Sequence, residues 1–141
     1  MSGETKQSGY LDRIFAALDA GARIEEIMRD DERAAGRKVV VPGEVGWLSA
    51  DDWHPTVVVS VDGRDVRLVA ILALRPGSGA LTRTVAGIRS AGLRPVIVEP
   101  TREMQATCQR WGWRMERHGK GFLSEERWVP PTLTTENSND R

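Results

Sequence analysis

Cysteine is nearly absent: Cys108 is the single one in 141 residues, so an internal disulfide is excluded and no cluster offers tetrahedral zinc ligands. No apolar run approaches the roughly 20 residues that span a bilayer. The longest, Val66 to Leu74, is interrupted by Arg67. Met1 to Gly9 is polar and lacks the apolar stretch of a secretory signal. Net charge is lacking too, since 20 Lys and Arg cancel 20 Asp and Glu, and the total is silent about partners. A membrane span, a disulfide-stapled fold and a cysteine-rich metal site are set aside. The expectation is a soluble cytoplasmic protein with no membrane partner, a homo-oligomer being left open.

What is present is a chain of single-domain length, 40% hydrophobic and 28% charged, able to build one core. The charge is segregated. Residues 1–65 hold 8 basic and 13 acidic side chains, whereas residues 66–141 hold 12 and 7. Between Val66 and Val98 there is no acid, but there are Arg67, Arg75, Arg83, Arg89 and Arg94. Such a division favours an anionic ligand near the second half, or two halves that neutralise each other on folding.

Residues 1–9 read as a flexible arm, residues 10–129 as one domain, and residues 130–141 as a polar tail. Leu11, Ile14, Phe15 and Leu18 form a stripe at helical spacing, and Ile24, Ile27 and Met28 begin a second short helix. This pair could be a helix-turn-helix, but Glu25, Glu26, Asp30, Asp31 and Glu32 would repel phosphates from its second helix. Packing on the sheet or against a partner suits it better. Lys38 to Val41 reads as a strand, and Glu44 to Pro55 as irregular.

Thr56 to Val61 and Val66 to Leu74 read as strands joined by Asp62-Gly63-Arg64-Asp65, a hairpin signal. The run Val69 to Leu74 suggests a central strand covered on both faces. A helix is expected over Ala80 to Ser90, a strand over Arg94 to Val98, and a helix capped by Thr101 that reaches Trp111. Two strands, Trp113 to His118 and Phe122 to Val129, complete a β-β-α-β-α-β-β order. That order implies an α/β fold with a mixed, mostly antiparallel sheet flanked by helices.

The segment Arg75-Pro76-Gly77-Ser78-Gly79-Ala80 connects a hydrophobic strand to a helix. Amides at a helix start lack internal partners and carry the positive dipole end, and glycines let the backbone close around a phosphate. Arg75 and Arg83 would add charge. An ordinary strand-to-helix turn has the same composition.

In order and spacing, residues 56–129 resemble the GNAT superfamily of N-acetyltransferases. The family's pyrophosphate loop, Gln/Arg-x-x-Gly-x-Gly/Ala, compares with residues 75–80, with the glycines one place early. Arg110-Trp111-Gly112-Trp113 stands in place of Lys-Leu-Gly-Phe. The resemblance implies acetyl-CoA as acyl donor, with the backbone of Leu72, Ala73 and Leu74 pairing with its pantetheine arm. The amides of Gly77, Ser78, Gly79 and Ala80 would hold its pyrophosphate. Where the family often has a tyrosine as general acid this chain has Cys108, and Thr101 stands where asparagine is common.

Cys108 reads either as an acid or acyl carrier or as a small core residue. Glu99, at the carboxyl end of a strand, is the candidate base, and could equally cap the next helix or pair with Arg102. His54 and His118 read as solvated. Asp51 and Asp52 beside Trp53 could bind a cationic substrate, or form a plain turn. Trp47 and Trp53 could stack on a flat acceptor. Arg110, Arg114, Arg117, His118 and Lys120 interleave with Trp111 and Trp113, a pattern shared by nucleic-acid surfaces and by strands with one wet face. The expectation is a small GNAT-like acyltransferase moving an acetyl or similar group to an amine of a small molecule or nucleobase. The alternative is a non-catalytic GNAT-like binding or interaction protein, a phage or bacterial accessory.

Overall fold

A computed structural model describes Ala16, residues 23–119 and residues 124–131. The arm expected over 1–9, the stripe expected at 10–20 (Ala16 apart), residues 21–22 and 120–123, and the expected tail from 132 lie outside these, and with them the first half of the expected helical pair.

Helix α1 spans Ile24–Ala34, its start held by the Glu26 carboxylate, which accepts from the Arg23 N–H at 3.3 Å. Strand β1, Lys38–Val40, follows, and the chain then runs without regular structure to strand β2, Val58–Asp62. Gly63 has the positive φ (62°) that a two-residue hairpin loop asks of its first residue, and it turns the chain into β3, Asp65–Ala70. Helix α2 is Ala80–Ser90, β4 is Arg94–Val98 and α3 is Arg102–Arg110. Strands β5, Arg114–His118, and β6, Glu125–Val129, end the fold.

The six strands form one sheet in the order β1-β2-β3-β4-β6-β5. Only β3 and β4 are parallel, with Arg67 opposite Val96; the other neighbours are antiparallel. The expected mixed, mostly antiparallel α/β sheet is present. The parallel pair arises because α2 serves as a crossover, returning the chain to the start of the sheet.

Alternation along the strands separates two faces. Val66, Leu68, Ile97 and Trp128 pack with Val85 and Ile88 of α2 and Cys108 of α3 in the larger core. On the opposite face, Val69, Val96, Val98 and Val129 form a smaller cluster. That face also carries Arg67, 2% exposed, which bonds Glu32 of α1 at 2.9 Å and Glu125 of β6 at 2.7 Å. A buried guanidinium in an apolar strand is tolerable because carboxylates from two other elements surround it. No helix among the described residues is long and apolar enough to cross a membrane.

One strand expectation is corrected. The run to Leu74 is not a central strand covered on both faces: β3 ends at Ala70, and Leu72 and Leu74 are 55% and 45% exposed. The ladder with β4 extends to Leu68 opposite Ile97, and β2 shifts register at Val58/Val59. Beyond Ala70 the chain pairs instead with the 52–54 loop. The Leu72 carbonyl accepts from the His54 N–H at 2.9 Å, and the Leu74 N–H donates to the Asp52 carbonyl at 2.8 Å. Ile71 and Ala73 pack inward while their neighbours face out.

Candidate functional site

The parallel pair β3–β4 sends both of its following helices from the same sheet end, and a cleft opens between them. Ligands of open α/β sheets gather at such carboxyl ends. The cleft measures about 500 Å³, within the range of small-molecule sites. One wall is Ile71 to Ala73, followed by Arg75 to Gly77 and the first turn of α2; the other is α3 from Thr101 to Trp111, and Trp53 lies between.

The start of α2 is unprotected. Gly79 is the N-cap at φ 86°, a conformation glycine adopts without strain, and no side chain among the described residues caps the helix. The amides of the first turn therefore retain unused donors. Gly77, Gly79, Ala80 and Leu81 all line the cleft. Ser78 differs, because its N–H donates to the Arg75 carbonyl at 3.2 Å. The α3 start is closed by Thr101, whose Oγ1 accepts from the Met104 N–H at 3.3 Å.

Arg83 does not offer its charge to the cleft, contrary to expectation. Its guanidinium grips Asp52 through two bonds, 2.7 and 3.3 Å, and donates to the Ser78 carbonyl at 2.7 Å. The hydrogen bond from Arg83 holds the Asp52 carboxyl below its ordinary range, and the same bond raises the arginine. Asp52 is thereby committed to fastening its loop to the glycine turn, and it is not an open partner for a cationic substrate. Arg75, also on the cleft, makes no ion pair among the described residues, though its charge helps to lower Asp52.

Trp47 and Trp53 are structural as well. Trp53 is buried, and its indole N–H donates to Thr84 Oγ1 at 2.8 Å. Trp47 packs against α2 so closely that a Cβ at Gly87 would lie 2.8 Å from its Cβ. His54 meets Thr56 Oγ1 at 2.8 Å through Nδ1, and His118 pairs with Glu116 at 3.2 Å.

Neither expected catalytic group lines the cleft. Cys108 is fully buried in the core, where burial pushes its thiol up to about 11. At neutral pH it is protonated and inaccessible, so the packing role is the one the structure supports. Glu99 faces away towards β6: its carboxylate accepts from the Glu126 N–H at 2.7 Å, and its own N–H donates to the Glu126 carbonyl. It neither caps α3 nor pairs with Arg102. Its φ of +48° is the one positive value on a non-glycine residue among those described, and the two bonds to Glu126 hold it there.

The wall supplied by α3 escaped the sequence reading. Glu103, Met104, Thr107, Arg110 and Trp111 share a face at i, i+1, i+4, i+7 and i+8, a spacing that was legible, but what that face looks onto depends on the sheet order.

Of the implied pantetheine contacts, Leu72 and Leu74 use backbone groups on the 52–54 loop. The N–H and C=O of Ala73 alternate to the opposite edge and have no partner among the described residues. Arg75 and Arg110 are the cleft's cations, and Glu103 is its one carboxylate among the described residues. The lining provides cations, hydroxyls and apolar surface. Among the described residues it provides no thiol and no histidine. No family model, no curated protein and no solved structure matches the chain.

Proposed function

We propose that the chain is a GNAT-like binding module that takes a coenzyme-A-type thioester in the cleft between α2 and α3 and holds it without transforming it. The uncapped first turn of α2, opening into that cleft beside Arg75, carries this reading. Unpaired amides at the positive end of a helix dipole bind phosphate oxygens, and Arg75 and Arg110 add charge of the matching sign. Leu72, Met104 and Trp111 supply apolar surface for an acyl arm. Cys108, which the resemblance would make the acid, and Glu99, the candidate base by its place at a strand end, are absent from the cleft lining, which favours binding over catalysis.

Acyl transfer to an amine is the second reading. The free Ala73 edge favours it, since an arm paired there would present its thioester to the Glu103 side of the cleft. Glu103 would then be the group available to take a proton from the incoming ammonium.

Calorimetry with acetyl-CoA separates these outcomes. Saturable heat and a thermal upshift are expected, both lost in Arg75→Glu and in Gly79→Glu. Arg75 is exposed, so its substitution leaves the fold intact. No heat at millimolar acetyl-CoA, or undiminished affinity in both variants, would overturn the assignment. Mass-spectrometric detection of acylated amine would establish the second reading over the first.

A further inference from the structure

Thr82 and Trp111 belong to two hollows at once. One is the cleft; the other is a groove of about 330 Å³ walled by Val85, Ala86 and Arg89 of α2 and by Trp111 and Trp113. The two adjoin as a trough across the helical face of the sheet. Trp111 is half-buried at the junction, with Arg89 on the groove side and Arg110 on the cleft side.

Charge selects the occupant. Nine of the described arginines are ion-paired with carboxylates: 23, 33, 37, 67, 83, 94, 114, 117 and 127. Arg29 and Arg64 donate to main-chain carbonyls. Of the four left without a carboxylate among the described residues, three line the trough: Arg75, Arg89 and Arg110. Three arginines without a carboxylate are thus gathered around one tryptophan, Arg110 donating only to Thr107 Oγ1 at 3.1 Å.

We propose that this trough binds single-stranded nucleic acid, one base stacking on Trp111 and the phosphates on either side lying against Arg89 and Arg110. An unpaired base offers the π-face that an indole platform takes without sequence preference, whereas a duplex hides it. An acidic peptide would match the arginines, but its carboxylate side chains carry no ring for Trp111 to stack on, whereas every nucleotide brings a base with its phosphate. The proposal goes beyond the thioester reading and does not rest on it, because Arg89 and the groove lie outside the cleft.

Titrating a labelled thymidine oligonucleotide by fluorescence anisotropy tests it, with tryptophan emission read in parallel. Binding is expected to quench tryptophan and to weaken with salt at a log–log slope of about −0.7 per phosphate contact, so about −1.4 for two. Arg89→Glu and Arg110→Glu should each weaken affinity by about ten-fold or more, and Trp111→Phe should retain binding that Trp111→Leu loses. Arg33→Glu, on α1 across the sheet, should change nothing. Absence of saturable binding at low salt, equal loss from Arg33→Glu, or equal affinity for an acidic peptide would overturn the proposal. If the oligonucleotide binds and acetyl-CoA does not, the thioester reading fails alone; the reverse result removes this one alone.

Discussion

Cys108 illustrates how environment decides the chemistry of a residue that sequence presents as reactive. It lies on the buried face of a short helix, with no exposed surface and a thiol raised to about 11 by burial. Because the thiolate is the reactive form, a thiol reagent at pH 8 should label the native protein at the rate of unfolding. In denaturant the same residue should react at the rate of a free cysteine; rapid native labelling would place it at the surface. Which role it plays could not be read beforehand, since the core it joins, with Val66, Ile88 and Trp128 among its members, is assembled from separate elements. The same holds for Arg83: its exposed helical position was legible, but the loop that brings Asp52 to it was not.

Helix α2 is the element that joins packing to the cleft, and two of its glycine contacts set its position. Gly79 at the start leaves the amides open, and Gly87 allows Trp47 to lie against the backbone. An alanine in a helix interior ordinarily gains about 0.5–1 kcal/mol over glycine. At position 87 the added methyl would meet the Cβ of Trp47 at 2.8 Å and its Cα at 3.3 Å, atoms that move only with their loop. Gly87→Ala is therefore expected to destabilise by about 1–3 kcal/mol in urea unfolding, against the sign of helix propensity. An unchanged or raised midpoint would show that the loop yields freely.

The bounds of α2 and β4 were legible, because periodicity and a terminal glycine mark them locally. The end of β3 was not. Val69 to Leu74 has the composition of a buried strand, and it stops at Ala70 because the partners beyond that point belong to the irregular 52–54 loop.

At the scale of the whole molecule, the opposed charge of the two halves is largely internal neutralisation. Arg67 pairs with Glu32, Arg83 with Asp52 and Arg94 with Asp65, each joining the basic second half to the acidic first. The remainder, Arg75 and Arg89, faces the trough. The Arg67 cluster also sets the response to acid. The hydrogen bond from Arg67, joined by Arg127, holds Glu125 at about 2. For Glu32, burial raises the carboxyl, but bonds from Arg67 and Ser60 more than offset this and it too lies below its ordinary value.

A carboxylate depressed on folding stabilises fully above its unfolded value of 4.5, and that contribution is lost as pH falls through the folded value. Urea midpoints should hence decline between pH about 4.5 and about 2. Arg67→Met should flatten that decline and lower stability at neutral pH by about 3–5 kcal/mol, since it leaves two carboxylates without their shared cation. A decline of equal steepness in the variant would assign acid sensitivity to other groups.

The position of β6 has a bearing on how the chain assembles during synthesis. The last strand among the described residues is not at a margin of the sheet; it is inserted between β4 and β5 and contributes Glu125 to the guanidinium 58 residues upstream. Until residues 125–129 leave the ribosome, β4 presents an open rim, β5 has nowhere to dock, and Arg67 waits beside half of its counter-charge. Closure of the sheet is thereby deferred until residues 125–129 have emerged, and the nascent β3–α2–β4 unit must persist until then with one side unfinished.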